Sequence, residues 1–166
     1  MILKGFSYKI GDDVNTDYII SGRYKFSITD MKELARHIME DIDPTFYSRL
    51  KPGESFLVAG KNFGMGSSRE QAPLVIKEAG IVGVVAKSFA RIFYRNAINI
   101  GLPLIETDTD QIAESDKLEI DLKLGVLKNL TKNISSKIQP LPPVMRKLLS
   151  DGGLVEHFKK NNGIKL

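Results

Sequence analysis

Cysteine and tryptophan are absent from the 166 residues, and histidine occurs only as His37 and His157. Without cysteine the chain has no disulfide framework and no thiolate metal site. Two histidines do not make a metal centre, so neither metal nor cofactor is expected on this chain. Long apolar runs are missing as well. The opening Met1-Ile2-Leu3-Lys4-Gly5 lacks a signal-peptide core, and no stretch reaches the roughly 20 residues of a membrane span. The expectation is a cytoplasmic protein with no membrane contact. Charge of one sign is not concentrated either. The net charge of +4 comes from interspersed residues, with no basic run threaded by aromatics, which argues against nucleic-acid binding. The phosphate and dinucleotide fingerprints, G-x-x-x-x-G-K-[ST] and G-x-G-x-x-G, do not occur, and neither does the nucleophile elbow G-x-S-x-G.

What is present suits one globular domain over residues 1–166. Hydrophobic residues make up 42% and charged residues 27%, enough to build a core without staples. Phe6 to Ile10 reads as a first strand, and Val14 to Ile20 as a loop or short strand. Thr29 or Asp30 is placed to cap a helix over Met31 to Met39, on which His37 reads as a surface or half-buried residue. Phe56-Leu57-Val58-Ala59 and the apolar run Ile81 to Ala86 read as buried strands, and Leu102 to Ile105 as another. A first helical turn is expected at 68–72 with the main helix from Pro73, and another helix, capped by Ser88, through Asn99. Strand and helix alternating in this way indicate parallel β/α units with right-handed crossovers. A hairpin about Gly125 spans Leu118 to Leu130, and short helices over Pro140 to Leu149 and Leu154 to Lys160 close the chain. Lys159, Lys160 and Lys165 read as a solvated tail.

The stretch with most chemistry is Gly60-Lys61-Asn62-Phe63-Gly64-Met65-Gly66-Ser67-Ser68-Arg69-Glu70. It lies between an apolar strand and a helix. Its glycines permit tight turns and leave amide N–H groups uncovered. Ser67 and Ser68 fall where the helix is expected to begin, and unpaired amides at that place attract an anion. Arg69 adds a planar fork suited to a carboxylate or phosphate. Glycine-rich turns and serine caps are also ordinary, so local physics leaves an anion site and plain capping both open.

Gly64 to Glu70, followed by Lys87-Ser88-Phe89-Ala90-Arg91-Ile92, resembles the aconitase superfamily, most nearly the separate small subunits of isopropylmalate dehydratases and homoaconitases. Asp12-Asp13-Val14-Asn15-Thr16-Asp17-Tyr18-Ile19-Ile20 and Gly22-Arg23-Tyr24 fit the same family. Three motifs in the right order, across residues 6 to 106, make the signal strong. The resemblance implies an α/β fold, the swivelling three-layer β/β/α domain of that superfamily. It also implies a hydro-lyase that moves water across a 2-hydroxy dicarboxylate, most nearly the 2-isopropylmalate to 3-isopropylmalate isomerisation of leucine biosynthesis.

Residue by residue, the resemblance makes Ser67 the base, acting as an alkoxide, and Asp17 a partner of the base and the arginines. Ser68, Arg69, Arg23 and Thr16 become substrate contacts, and Tyr24, Lys25, Phe26 and Ser27 the specificity segment. For Arg91 and Arg95 it implies a structural role, bonding neighbouring loops. Aconitase has a serine where this chain has Ile20, so that polar contact is missing. Lys25 and Phe26 match neither the isopropylmalate nor the homoaconitase pattern. A homoaconitase or 2,3-dimethylmalate dehydratase subunit is the alternative within the class, and a non-catalytic anion-binding regulatory module the alternative outside it. The [4Fe-4S] cluster of the family needs cysteines. It is therefore expected on a larger partner subunit, with this chain inactive alone and possibly a homo-oligomer in isolation.

Overall fold

The computed structural model describes residues 1–24 and 26–164, so the expectations for Lys25 and Lys165 lie outside the described residues. Seven strands form one sheet: β1 Ile2–Lys9, β2 Ser55–Val58, β3 Ile81–Ala86, β4 Leu104–Glu106, β5 Lys117–Asp121, β6 Val126–Asn129 and β7 Ile134–Lys137. Their spatial order is β4-β3-β2-β1-β5-β6-β7. The first four run parallel, and β5 to β7 form an antiparallel meander added to the free side of β1. β2 and β3 are buried along almost their whole length, which explains why their sequences are unbroken apolar runs rather than alternating ones.

The sheet curls. Phe56, Val58, Val85 and Ile105 of the parallel half share a buried cluster with Leu118, Ile120 and Leu127 of the meander. A buried cluster shared across both halves fits a sheet whose meander folds over the parallel half. On the opposite face of the parallel half, Leu57, Val84 and Ala86 pack under helices. Two β layers and a helical layer result, the β/β/α arrangement the resemblance implied.

The helices are α1 Thr16–Ile19, α2 Met31–Ala35, α3 Phe46–Arg49, α4 Gln71–Glu78, α5 Arg91–Asn99, α6 Pro143–Asp151 and α7 Leu154–Asn161, with a 3-10 turn at Gly22–Tyr24. Several depart from expectation. β1 starts earlier than Phe6. Val14 to Ile20 contains a helical turn, because the Asn15 side chain accepts the Tyr18 N–H and caps it. Asp30 caps α2, yet the helix stops at Ala35, and Met39, in the left-handed conformation, donates its N–H to Ile19 O instead. α4 starts at Gln71, so Pro73 lies within the first turn, where no backbone donor is lost. Ser88 does not cap α5, whose N-cap is Ala90. Its hydroxyl instead accepts the Asn62 N–H at 2.8 Å. The strand β7 was not anticipated.

Candidate active site

The three sequence motifs form one structure at the carboxyl ends of the parallel strands. After β1, residues 12–16 run alongside residues 60–67. Lys61 donates its N–H to Asp12 Oδ1 at 2.7 Å, and Asp13 N–H donates back to Lys61 O at 2.8 Å. Gly64 N–H reaches Val14 O, Thr16 N–H reaches Met65 O, and the Thr16 hydroxyl donates to Ser67 O at 3.0 Å. From the other side, Phe63 N–H donates to Ser88 O and Ala90 N–H to Phe63 O. Phe63, Phe89 and Phe93 fill the angle between them, with edge-to-face ring distances of 5.1 and 6.1 Å about Phe63. Gly64 and Gly66 have φ of 82° and 98°, a region that penalises any side chain.

Ser67 and Ser68 sit in the turn before α4 rather than on the helix itself, so neither hydroxyl is used as a cap. Among the described residues their amide N–H groups donate to no other backbone group. The Ser67 hydroxyl lies 3.4 Å from the Thr16 hydroxyl, which is buried and fixed by its bond to Ser67 O. Arg69 is mostly covered. Its guanidinium pairs with Asp17 Oδ1 at 2.6 Å and lies 3.4 Å from Ile20 O. A cleft of about 340 Å³ opens above, lined by Thr16, Ser67, Ser68 and Arg69 and, from α5, by Arg91 and Asn96. A second cleft of about 340 Å³ lies at the β4 edge, where the one charged lining residue, Glu106, repels an anion.

Thr16, Asp17, Ser67, Ser68 and Arg69 thus lie together: Asp17 pairs with Arg69, and the hydroxyl facing Ser67 is that of Thr16. Arg23 is placed elsewhere. Its guanidinium donates to Glu40 Oε1 at 2.9 Å and Asp41 Oδ1 at 2.8 Å. Tyr24 donates its hydroxyl to Glu40 Oε1 at 2.6 Å and stacks on His37, which also contacts the Glu40 carboxylate. The Tyr24 hydroxyl, helped by His37 and Arg23 and opposed by burial, holds the Glu40 carboxyl down at about 2. Gly22 ties this segment to the site, since a Cβ there would lie 3.0 Å from Arg69 Nη2. Phe26 is 91% exposed.

Arg91 and Arg95 do not bond neighbouring loops. Both are exposed, and among the described residues neither side chain has a hydrogen-bond or ion-pair partner. Lys87 pairs with Asp110 at 2.6 Å. Asn96 was passed over by sequence reasoning. No local signal distinguishes a polar residue facing a cleft from one facing solvent.

Comparison with known proteins shows the family of this fold. The Aconitase C-terminal domain family matches residues 26–110. The 3-isopropylmalate dehydratase small subunit 2 of Archaeoglobus fulgidus is 55% identical over 166 residues, all of both chains. The corresponding small subunit of Halothermothrix orenii is 54% identical, with 99% of each chain covered. The crystal structure of 3-isopropylmalate dehydratase (leuD) from Methanocaldococcus jannaschii superposes with a TM-score of 0.92 at 50% identity, covering 98% of this chain and 96% of that one. This chain belongs to the small-subunit family of the 3-isopropylmalate dehydratases, among the aconitase C-terminal domains.

Proposed function

We propose that this chain is the small subunit of a hydro-lyase that isomerises 2-isopropylmalate to 3-isopropylmalate through isopropylmaleate, in leucine biosynthesis and in the cytoplasm. Full-length identity to proteins of that name supports the assignment. The observation that carries it to the residues is the corner itself: a serine hydroxyl with no capping duty, beside two unused amides and an arginine.

Within this reading Ser67 Oγ is the base. It takes the proton from the substrate carbon as water is eliminated and returns a proton on rehydration. An alkoxide is costly in water, and donors fixed beforehand lower that cost. The Ser67 and Ser68 amides and the Ser68 hydroxyl are the available donors. Arg69, oriented by Asp17, holds a substrate carboxylate in its planar fork. Thr16 fixes the rotamer space of Ser67. Tyr24, Lys25, Phe26 and Ser27 form the specificity segment, with Phe26 exposed to meet an alkyl substituent. Arg23 belongs to this segment, where Glu40 and Asp41 hold it.

The residues of this chain do not fit an iron-sulfur cluster. The sequence has no cysteine, and no group of three His, Asp or Glu among the described residues could hold a metal. A [4Fe-4S] cluster therefore belongs to a larger partner subunit, and the complete site forms where that subunit covers the cleft. The test is an anaerobic assay of the reconstituted complex. Ser67→Ala is expected to assemble normally and to lose about 10²–10⁴-fold in kcat, the usual contribution of a positioned base. Undiminished turnover in that variant would remove Ser67 from the role. Preference for homocitrate-type or dimethylmalate substrates would move the chain to a sister activity.

A further inference from the structure

The lining of the serine cleft carries two cations and no carboxylate. Arg69 is already balanced by Asp17, which stands just outside the lining. Arg23, the other arginine expected near substrate, is balanced by Glu40 and Asp41. Among the described residues Arg91 is the guanidinium lining this cleft without a counter-ion, and it reaches the cleft from α5 rather than from the serine turn that carries Ser67 and Arg69. Asn96, half-buried on the same helix, also makes no side-chain hydrogen bond. Phe93 lies between them, held by its contacts with Phe63 and Phe89, so the start of α5 is fixed relative to the serine turn.

A dicarboxylate brings two negative charges, and each carboxylate must exchange its water for donors of comparable strength. From the serine turn Arg69 supplies one such set. From α5 Arg91 supplies a second, with Asn96 able to add an amide donor. We propose that Arg91 is a substrate-binding residue: it takes the carboxylate that Arg69 does not, and so makes this half of the site select dicarboxylates over monocarboxylates. The inference rests on the proposed reaction for the identity of the acid. The charge arrangement of the cleft is a property of this chain alone.

Two experiments test it separately from the reaction. In the first, the full chain is labelled with nitrogen-15, and the arginine Nε–H and backbone amide signals are followed as 2-isopropylmalate is added. The comparison ligand is 2-hydroxy-2,3-dimethylbutanoate, which is the same molecule without its second carboxylate. The dicarboxylate is expected to shift the Arg91 Nε–H together with the amides of residues 67–69 and 90–92. The monocarboxylate should leave Arg91 unmoved. Arg91→Gln should weaken dicarboxylate binding about tenfold or more and leave monocarboxylate binding unchanged. An Arg91 signal in the wild type that no concentration of dicarboxylate moves overturns the proposal.

In the second, the reconstituted complex carrying R91Q is expected to assemble and to show a KM raised about tenfold or more, with a smaller change in kcat. Arg91→Lys should recover part of the loss. An unchanged KM overturns the proposal, and so does failure of R91Q to assemble, which would make Arg91 a docking contact. If the wild-type complex turns over none of the acids, the proposed reaction fails, and the spectra still decide the role of Arg91.

Discussion

Glu40 is the residue whose environment has the clearest thermodynamic consequence. Its carboxyl is held at about 2, first by the Tyr24 hydroxyl and then by His37 and Arg23, against an ordinary value of 4.5. A carboxyl depressed on folding stabilises the folded state fully above its unfolded pKa, and the stabilisation disappears as pH falls through the folded value. The window for this group is therefore pH 4.5 down to 2. We expect the Tm difference between wild type and Glu40→Gln to be constant above that window and to shrink through it. A difference that stays constant down to pH 2 would detach Glu40 from the acid response. Sequence could not show this cluster, because Arg23, Tyr24, His37, Glu40 and Asp41 look like unrelated surface residues until the chain turns back at Met39. The serine corner was more legible, since glycine, hydroxyl and guanidinium chemistry is local. Its pairings were not. Thr16 and Ser67 are 51 positions apart, and nothing near either names the other.

Among the elements, the serine turn depends on the start of α5. A Cβ built on Gly64 would lie 2.3 Å from Phe93 Cγ, and the φ of 82° penalises any side chain. Gly64→Ala therefore combines a left-handed backbone penalty with overpacking, together roughly 2–5 kcal/mol. The expected Tm loss is ~5–15 °C, with activity of the complex falling further than the loss of folded protein explains. Retention of both would show that Phe93 moves aside freely. Helix extents were less legible than strand runs for a physical reason. α2 ends where tertiary hydrogen bonds capture Met39, and Ser88 spends its hydroxyl on Asn62 rather than on α5. Both outcomes depend on distant partners. β7 escaped notice because Ile134–Lys137 is mostly exposed and carries little alternation to read.

For the whole molecule, the parallel half could be read from buried runs, whereas the curl could not. β1 pairs Ile2 with Asp121 on one side and Phe6 with Ser55 on the other, contacts between ends of the chain that no window spans. Because β2 and β3 contribute to both clusters, the two faces share their central strands and should unfold together. The sequence has no thiolate, and among the described residues no acidic centre underpins that stability, so chelator treatment of the isolated chain is expected to leave Tm unchanged. A fall in Tm on chelation would reveal a structural metal. The placement of the site residues also bears on inheritance. The proposed base, Ser67, lies on the turn after β2, while residues 21–24 and 26–28 project from the connection between β1 and β2, outside the sheet. A duplicated gene can revise that projection and acquire a new acid while the proton-transfer apparatus is passed down intact, so one ancestral small subunit could give rise to paralogues that share a chemistry and differ in diet.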